Sequence, residues 1–571
     1  MKKYILLLLF FASINVSAQE VLITDSIVIH LKSGHELTAI VVQNKAVKTP
    51  VPALLRYSIY ASPAADKFYN SLATFRGYVG VTIYVRGKYL SMQQADPFAN
   101  DAEDAWDVID WVSKQTWCNS KVGMYGASYL GFSQWASVKK LHPALKTIVP
   151  QSAVGIGVDF PMSNNINSGY SLGWIHYVTD NKILDSVSQA QFSDLKKWNT
   201  LFNRWFKSGK SFASLDTMEG RPSPIFQKWL KHPAYDNYWK KMTPTAEEYA
   251  GLNIPVLTIA GYFDADQSGA MHYFKKHNES NENANHYLVL GPYDHFGLQQ
   301  LAMPTTVGGY DLDSVAVFKV FALTFGWFDY ILKGGIKPAL LKDKVNYEVM
   351  GANRWEHAPS LAAITTKAKK YFLFTDKTKG LYKLSNSISA GNKGITQEIS
   401  FKDRTDTLVN SGSPLILDSL LHVGKNSLVF ETDPFDHPVV IAGSLSGELS
   451  VIVNKKDVDI MAQLYEKLAD GRYLKLNSGV YRASYTKDHS KRQLLVPGKP
   501  AQIQLTNNTF FTSRQIAIGS KLVFVTGVLM EPGIEVNYGT GKMVSQETIA
   551  DGKQDLIIEW LPQSFISVSI Q

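Results

Sequence analysis

The amino-acid sequence predicts an α/β domain that a helical segment interrupts and an all-β domain follows. Apolar runs of strand length alternate with helical periodicity on both sides of a stretch that is rich in Trp, Asn, Lys and Ser and lacks strand alternation. Short alternating runs separated by turn residues fill the last part of the chain. We place the α/β core at 19–154 and 251–343, a helical cap at 155–250 and a β-sandwich or jelly roll at 344–571.

Buried strands and helices alternate in the predicted core. Continuous apolar, β-branched runs at 52–59, 79–84 and 122–125 indicate parallel strands buried on both faces. A hairpin at 26–42 precedes them, and the segment 102–114 has apolar residues at helical spacing. The other predicted elements are strands at 254–259, 287–290, 345–350, 447–453 and 521–526, and helices at 184–202, 268–277 and 318–332.

The N-terminus is typical of a secretory signal peptide. A basic start precedes an apolar run at 4–12 that is too short to span a bilayer stably, and Val16-Ser17-Ala18 supplies a small-x-small end. We therefore expect a signal peptide at 1–18 and a mature protein that is periplasmic or secreted in a bacterium. Because Cys118 is the single cysteine, no intramolecular disulfide can form, and we expect a buried structural thiol there.

Composition argues against several classes of partner. The net charge of +8 is spread over the chain without a Lys/Arg block, so we expect no nucleic-acid partner. The histidines and the single cysteine do not show metal-ligand spacing, so we expect neither a metal nor a cofactor. The expected partner is a small-molecule or short-peptide substrate, with no membrane contact after signal cleavage.

The strand predicted at 122–125 leads into the segment on which the functional interpretation rests. It continues as Gly126-Ala127-Ser128-Tyr129-Leu130-Gly131, and a helix-compatible stretch follows at 133–138. Glycines around a serine between a strand and a helix indicate a nucleophile elbow, where the turn is too sharp for neighbouring side chains. The same glycines in a loop would carry no such meaning, but the flanking strand and helix favour the elbow. Ser128 is therefore the predicted nucleophile.

A serine nucleophile needs a base and a group that orients the base. In α/β-hydrolases an acid and then a histidine follow the serine along the chain, each after a strand. Asp264 and His295 stand in that order after predicted strands, so we assign the orienting acid to Asp264 and the general base to His295. Asp266 and Asp294 are rival acids, the first further past its strand and the second adjacent to the histidine.

Several motifs, in the expected order, resemble those of one family. They are Trp117-Cys118-Asn119, the nucleophile segment up to Phe132, Pro143-Ala144-Leu145-Lys146, Val149-Pro150-Gln151-Ser152, Ala260-Gly261-Tyr262-Phe263-Asp264, Gly291-Pro292 with His295, Trp327-Phe328-Asp329 and Val349-Met350-Gly351. Over nearly all of the mature chain they resemble the peptidase S15 family, which holds Xaa-Pro dipeptidyl-peptidases and cocaine-esterase-like (CocE/NonD) hydrolases.

The resemblance implies an α/β-hydrolase core with a helical cap and a C-terminal jelly roll. It also implies that the phenol of Tyr60 joins the backbone N–H of Tyr129 in an oxyanion hole, with Tyr57 as the alternative phenol. Members of the family often self-associate, so the resemblance leaves a homo-oligomer open.

Two places differ from the family pattern. Members that hydrolyse α-amino acid esters bind the substrate ammonium with a cluster of carboxylates. By resemblance one of these positions falls at Asp266 and the next at Gln267, with Asp159 a candidate for the third. Tyr84 stands where the family has a loop-anchoring Asp, two residues before Arg86-Gly87.

The sequence thus predicts an exported serine hydrolase that cleaves acyl ester or amide bonds through an acyl-enzyme, like the esterase or α-amino acid ester hydrolase members. An Xaa-Pro dipeptidyl-peptidase is the alternative, although those peptidases often carry an extra N-terminal helical domain and this chain leads straight into strands. A different class, a non-catalytic glycan- or peptide-binding protein on a decayed hydrolase scaffold, would suit the aromatic-rich cap. The complete set of triad residues argues against it.

Overall fold

The computed structural model describes residues 20–301, 304–364, 367–378, 381–388, 393–406, 415–506 and 510–571. The predicted signal peptide at 1–18 lies outside these residues. The described chain forms two large β-sheets, one of ten strands and one of twelve. Within these ranges no helix has the length and apolar character needed to cross a bilayer.

The first sheet and its helices lie between residues 21 and 364. The strands are β1 (Val21–His30), β2 (Glu36–Asn44), β3 (Val51–Ser58), β4 (Val79–Tyr84), β5 (Cys118–Ser128), β6 (Leu145–Ala153), the short pair β7 (Met162–Ser163) and β8 (Ile166–Asn167), β9 (Val256–Phe263), β10 (His286–Asp294), the short pair β11 (Thr306–Val307) and β12 (Tyr310–Asp311), β13 (Val345–Val349) and β14 (Arg354–Ala358). The helices are α1 (Pro63–Phe75), α2 (Asp101–Ser113), α3 (Tyr129–Ser137), α4 (Tyr170–Thr179), α5 (Ser186–Phe192), α6 (Leu195–Ser208), α7 (Leu215–Glu219), α8 (Pro224–Leu230), α9 (Asn237–Lys240), α10 (Ala246–Ala250), α11 (Gln267–Ser280), α12 (Val320–Lys333) and α13 (Leu361–Ile364).

The strand order of this sheet is β1-β2-β4-β3-β5-β6-β9-β10-β13-β14. From β4 to β13 all pairs are parallel, as predicted, and the pairs that involve β1, β2 and β14 are antiparallel. The central strands are buried because α2, α3 and α11 pack on one face and α1 and α12 on the other. Parallel strands end at the same edge of a sheet, so the residues that follow β3, β5, β9 and β10 meet there.

The core elements overlap their predicted positions but extend beyond them. The strand predicted at 122–125 is β5, and the helix predicted at 268–277 is α11. Neither α1 nor β6 is among the predicted elements. The helix predicted at 184–202 is two helices, α5 and α6, because the Asp194 side chain caps α6 by accepting from the Lys197 N–H.

The first sheet also extends further along the chain than predicted. The segment 345–350, which we assigned to an all-β domain beginning at 344, contains β13, and β13 pairs in parallel with β10. β14 pairs with β13 and forms the edge of the sheet, so the boundary lies after Ala358. Every residue of β13 is buried, although Asn346 and Glu348 alternate with Val345, Tyr347 and Val349, a pattern typical of a strand with one solvated face.

An all-β domain follows the first sheet. Its strands are β15 (Ala368–Thr378), β16 (Leu381–Ser385), β17 (Ile395–Ile399), β18 (Leu417–Asp418), β19 (Ser427–Glu431), β20 (Val439–Ser444), β21 (Ser446–Val453), β22 (Asp459–Lys467), β23 (Tyr473–Arg482), β24 (Pro500–Gln504), β25 (Phe511–Ile516), β26 (Lys521–Val528), β27 (Leu556–Trp560) and β28 (Phe565–Ser569). The pair β20–β25 stands apart from the twelve-stranded sheet, and Arg514 of β25 forms a β-bridge with Met350 next to β13.

A buried charge network joins the cap to the all-β domain. Arg482, which is 1% exposed, donates to both carboxylate oxygens of Asp459 at 2.9 and 2.7 Å and to the backbone oxygen of Asn165 at 2.6 Å. Glu535 accepts from Arg482 at 2.9 Å and from the Asn167 N–H at 2.9 Å. Because Asn165 and Asn167 belong to the β7–β8 hairpin, these bonds fix the first part of the cap to the all-β domain.

Two buried histidines connect α11 to β10. The Nδ1 atoms of His277 and His286 lie 3.1 Å apart. The second ring nitrogen of His286 lies 2.8 Å from the Thr258 hydroxyl, and that of His277 lies 3.3 Å from the Leu252 carbonyl oxygen. Burial lowers the pKa of both imidazoles, so both are neutral in the folded protein and one donates to the other.

The histidine pair predicts acid sensitivity of the fold. The folded pKa of each imidazole lies below its unfolded value of about 6.5, so stability is present above that pH and is lost below it, by about 1.4 kcal/mol per pH unit for each excluded proton. Urea unfolding at pH 7.5 and pH 5 should therefore show a smaller loss of stability in His286→Gln than in the wild type. His30→Gln, at an exposed position, is the control. An unchanged pH dependence in His286→Gln would contradict the prediction.

Candidate active site

The turn between β5 and α3 holds Ser128 in a strained backbone conformation. Its φ is 62° and its ψ −124°, a region that costs a residue with a Cβ about 1–3 kcal/mol. A Cβ at Gly126 would lie 2.6 Å from the Cβ of Leu130, and one at Gly131 would lie 2.7 Å from the Cα of Ala153 in β6. Gly131 stands three residues after Ser128, one position further than the usual Gly-x-Ser-x-Gly spacing. The structure shows why both sites need glycine, since strand, turn and helix approach too closely for side chains.

Asp264 and His295 meet at the same edge of the sheet. Asp264 directly follows β9 and His295 directly follows β10, and the Nδ1 of His295 lies 2.9 Å from Oδ1 of Asp264. The turn after His295, residues Gly297–Gln299, contacts β5, which ends in Ser128. Asp264 is fully buried, and its Oδ1 also accepts from the Asp266 N–H at 2.9 Å.

The two rival acids occupy different positions. Oδ2 of Asp266 lies 3.5 Å from Nδ1 of His295, further than Asp264. Asp294 accepts from the Gly297 N–H at 2.6 Å and so stabilises the turn after the histidine. The shortest contact to the imidazole is therefore that of Asp264.

The charges of this cluster depend on one another. Burial by itself would lower the pKa of His295, but the carboxylates of Asp264 and Asp266 outweigh it and raise that pKa to about 9. Burial raises the pKa of Asp264, but the charge and hydrogen bond of His295 outweigh it and lower that pKa below its usual value. Burial raises the pKa of Asp266 to about 7, with Asp264 adding to the rise and His295 opposing it. The ion pair is thus formed by Asp264 and His295.

The phenol of Tyr60 lies beside Ser128, the predicted nucleophile. Its oxygen is 3.3 Å from Ser128 Oγ and accepts from the indole N–H of Trp174 at 3.4 Å. Because the indole nitrogen is only a donor, the Tyr60 proton is free to point towards Ser128. Burial raises the pKa of Tyr60 to about 12, so the phenol is neutral and able to donate.

Tyr129 is the first residue of α3, so its backbone N–H is one of those that a helix leaves without an intrahelical acceptor. Its side-chain hydroxyl donates to Asp101 at 2.7 Å and accepts from the Phe98 N–H at 3.3 Å, which fixes the ring. Tyr57, the alternative phenol, is buried, and Asp101 is the nearby charge that most affects its pKa. The described hydroxyl that contacts Ser128 Oγ is that of Tyr60.

The structure corrects the predicted role of Gln267. Its side chain is fully buried, and its amide nitrogen donates to the carbonyl oxygens of Gly261 at 2.7 Å and Phe511 at 2.9 Å. Its amide oxygen accepts from the Phe511 N–H at 2.6 Å. Gln267 therefore joins the loop that carries Asp264 to the all-β domain and has no group left for a substrate.

Asp159 lies next to the first turn of α11. Its carboxylate accepts from the Gly155 N–H at 2.8 Å and from the Gly269 N–H. Burial raises the pKa of Asp159 well above its usual value, and the charge of Asp266 is the largest contribution from a neighbouring carboxylate. Of the three residues predicted to bind substrate, Asp266 thus lies beside His295, and its negative charge contributes to the raised pKa of Asp159.

The family follows from comparison of the whole chain. Residues 33–297 match the model of the X-Pro dipeptidyl-peptidase (S15) family, and residues 341–514 match the model of the X-Pro dipeptidyl-peptidase C-terminal non-catalytic domain. The chain belongs to the S15 family. The predicted family and enzyme class, a serine hydrolase, are confirmed.

Known relatives of this S15 protein cover nearly its whole length. Cocaine esterase from Rhodococcus sp. (strain MB1 Bresler) is 24% identical in an alignment 562 residues long that covers 93% of this chain and 94% of that protein. The solved structure of an α-amino acid ester hydrolase matches with a TM-score of 0.80 and 20% identity over 97% of each chain. An aminopeptidase from a marine sediment archaeon, Thaumarchaeota archaeon, matches with a TM-score of 0.80 and 19% identity over 96% of each chain. The shared fold confirms the α/β-hydrolase core and the C-terminal all-β domain.

The cap contributes to this S15 site an aromatic wall that is not among the features predicted from the sequence. Trp174 of α4 lies 5.4 Å from Phe98 and 5.1 Å from Phe160, measured between ring centroids. Tyr177, one turn further along α4, lies 5.9 Å from Tyr60. The aromatic residues at positions 170, 174 and 177 follow helical spacing, and this spacing is the signal that could have shown a single helix face.

Tyr84, which replaces the acid of the S15 pattern, has a contact of its own. Its hydroxyl donates to Asp66 at 2.7 Å. Two residues later, Arg86 binds both carboxylate oxygens of Asp104 at 2.7 and 2.5 Å. The loop after β4 is therefore anchored to α2 without the family acid.

One cluster in the described residues brings acidic and imidazole ligand atoms within 4.8 Å of one another, and it consists of Asp264, Asp266 and His295. Because Nδ1 of His295 already bonds to Asp264, the arrangement suits a base and its orienting acid. The expectation that neither a metal nor a cofactor takes part stays a prediction.

The second carboxylate beside the base predicts a shift in the pH profile. Asp266 contributes to the raised pKa of His295, and a base must be unprotonated to accept a proton. In Asp266→Asn, the loss of one negative charge should lower that pKa and move the acid limb of kcat/KM to lower pH, so that the fraction of maximal activity retained at pH 8, where Asp266 is ionised in the wild type, rises severalfold. Asp436→Asn, at an exposed position, is the control and should keep the wild-type profile. An acid limb that stays in place or moves to higher pH would contradict the role of Asp266.

Proposed function

We propose that this S15 protein is an exported hydrolase that cleaves esters or amides of α-amino acids through an acyl-enzyme. The observation that best supports the proposal is that two contacting pairs lie at one sheet edge. They are Ser128, in its strained backbone conformation, with the neutral phenol of Tyr60, and His295 with Asp264. Each of the four residues lies at or just after the end of a different parallel strand.

Acylation uses these groups in turn. Ser128 Oγ attacks the carbonyl carbon while His295 accepts the hydroxyl proton, and Asp264 stabilises the imidazolium that forms. The negative charge on the former carbonyl oxygen is stabilised by the Tyr60 hydroxyl and the Tyr129 N–H. When the tetrahedral intermediate collapses, His295 gives its proton to the departing alcohol or amine and the acyl group remains on Ser128. Deacylation repeats the steps with water as the nucleophile and releases the acid.

Asp159 and Asp266 support an α-amino acid as the acyl part. Burial raises the pKa of both carboxyls. The negative charge of Asp266 adds to the rise at Asp159, and that of Asp264 adds to the rise at Asp266. An ammonium placed between Asp159 and Asp266 would therefore relieve unfavourable charge. Asp266 lies 3.5 Å from His295. An ammonium bound there is close to the reacting carbonyl, as it is on the α-carbon of an aminoacyl group.

An Xaa-Pro dipeptidyl-peptidase is the second candidate, because the models that match this chain are those of that peptidase. Its substrate carries the ammonium one residue further from the cleaved bond. The short distance from Asp266 to the base fits the one-residue acyl group better.

The test is a pair of substrates that differ only in the ammonium, L-phenylalanine methyl ester and methyl 3-phenylpropionate, with acid release measured by chromatography. We expect kcat/KM to be at least tenfold higher for the amino ester. In Asp266→Asn, measured at the pH of maximal activity, the ratio of the two values should fall towards one. The ratio is unaffected by general damage to the triad, because both substrates use the same triad.

Ser128→Ala is the blank, and a fluorophosphonate that labels Ser128 in the folded wild type shows that the nucleophile is active. Faster turnover of Gly-Pro-p-nitroanilide than of the amino ester would favour the dipeptidyl-peptidase. Equal rates on the two methyl esters would make the protein a simple esterase. No labelling and no turnover would support the non-catalytic binding protein.

Export is a separate part of the proposal and rests on the sequence at 1–18. Mass spectrometry of the protein expressed at full length in a Gram-negative host should find a periplasmic form that begins at Gln19. A cytoplasmic form that retains Met1 or Lys2 would contradict it.

A further inference from the structure

The ammonium of Lys88 is completely buried between the core and the cap. Lys88 follows β4, and its side chain is 0% exposed. Its Nζ donates to the carbonyl oxygen of Val178 at 2.6 Å, to that of Asn181 at 3.2 Å and to Oδ1 of Asp185 at 2.5 Å. Three acceptors thus satisfy the three donors of one ammonium.

Asp185 continues these contacts to the chain beside Tyr60. Its Oδ2 accepts from the Ala61 N–H at 3.0 Å, and its own N–H donates to the Ala61 carbonyl oxygen at 3.0 Å. Ala61 directly follows Tyr60, and the Tyr60 N–H is held by the Ser58 hydroxyl at 2.9 Å. The reciprocal pair leaves the backbone next to the phenol little freedom to rotate.

Lys88 also fixes the helix that contacts the phenol from the cap. The carbonyl oxygens of Val178 and Asn181 lie at the C-terminal end of α4, where a helix leaves its carbonyls without intrahelical donors. The same helix carries Trp174, which donates to the Tyr60 oxygen, and Tyr177, which packs against its ring. The Lys88 ammonium therefore contacts the end of the helix that carries Trp174 and Tyr177. Through Asp185 it also holds Ala61, the residue that follows Tyr60.

We propose that Lys88 and Asp185 are positioning residues that hold the Tyr60 phenol at Ser128. The proposal rests on the proposed function, in which Tyr60 donates to the oxyanion. A buried ion pair contributes little net stability compared with apolar side chains of the same volume, whereas its directional bonds fix geometry. Displacing a donor by about 1 Å at a reacting centre is enough to lower the rate by about a hundredfold.

A positioning role and a purely structural role differ in their dependence on Tyr60. If Asp185 acts through the phenol, its removal costs nothing further once the hydroxyl of Tyr60 is gone. If it only holds the cap to the core, its removal costs the same factor with or without that hydroxyl. A double-mutant cycle between positions 185 and 60 separates the two roles.

The cycle uses the full-length mature protein and p-nitrophenyl acetate as the probe. We expect Tyr60→Phe to lower kcat by about a hundredfold, as loss of one oxyanion-hole donor does. Asp185→Ala should lower kcat about tenfold with KM within twofold of the wild type, because both acylation and deacylation form an oxyanion while ground-state binding does not use it. In the Tyr60→Phe background, Asp185→Ala should cost less than twofold.

Two further variants keep the test decisive if the unpaired Lys88 prevents folding. Lys88→Met/Asp185→Ala has no buried charge and no acceptor for the Ala61 N–H, and it enters the same cycle in place of Asp185→Ala. Lys88→Met/Asp185→Asn keeps an acceptor for that N–H and should recover kcat to within threefold of the wild type. Lys139→Met is the matched control, because Lys139 also joins the core to the cap. Its ammonium donates to the Thr243 carbonyl oxygen at 2.7 Å and to the Glu248 carboxylate at 2.8 Å. Its kcat should equal that of the wild type.

The outcomes distinguish the two proposals. If Tyr60→Phe leaves kcat unchanged, the proposed oxyanion role of Tyr60 is wrong and the positioning role fails with it. If Tyr60→Phe lowers kcat but loss of Asp185 does not, or lowers it by the same factor in both backgrounds, the positioning role alone is overturned.

Discussion

The tight turn at Ser128 is the constraint on which the rest of the site depends. A positive φ at a residue with a Cβ persists only where the surrounding structure holds it, and here Gly126 and Gly131 allow α3 to approach β5 and β6 closely enough to do so. The same turn places the first N–H of α3 next to the hydroxyl of Ser128. The predicted nucleophile and the predicted oxyanion donor are therefore both positioned by one backbone conformation.

Features of the site that depend on neighbouring residues in the sequence could be predicted, whereas contacts between residues far apart in the chain could not. Ser128, Asp264 and His295 could be predicted because parallel strands end at one edge, and each residue lies at or directly after the end of a strand that its own apolar run reveals. The contact between Trp174 and Tyr60 spans 114 positions. No local pattern encodes it, because it depends on how the cap is set upon the core. The same limit applies to Lys88 and Asp185, whose residue types alone predict two solvated charges.

Gln267 shows a different limit. It is adjacent in sequence to Asp266, but residues one apart on a helix point in different directions, and α11 begins at Gln267. Asp266 consequently faces His295, whereas the side chain of Gln267 faces Gly261 and Phe511. The substrate-binding role that the resemblance assigns to two adjacent positions is therefore compatible with the structure at Asp266 but not at Gln267. The displaced boundary at 343 has a different cause: Asn346 and Glu348 give β13 the alternation of a strand with one solvated face, yet both side chains are buried in the first sheet.

The contacts that surround the candidate site indicate a positioning role for the cap and the all-β domain. Gln267 ties the loop of the acid to the all-β domain, Arg482 ties the start of the cap to that domain, and Lys88 ties the end of α4 to the core. Each contact ends on a backbone carbonyl oxygen, so it fixes the path of the chain independently of the side chain at its end. Since core, cap and all-β domain are joined in this closed circuit, the positions of Tyr60 and Asp264 relative to Ser128 depend on all three. The all-β domain thus helps to position the candidate active site, although none of the residues assigned to the proposed reaction belongs to it.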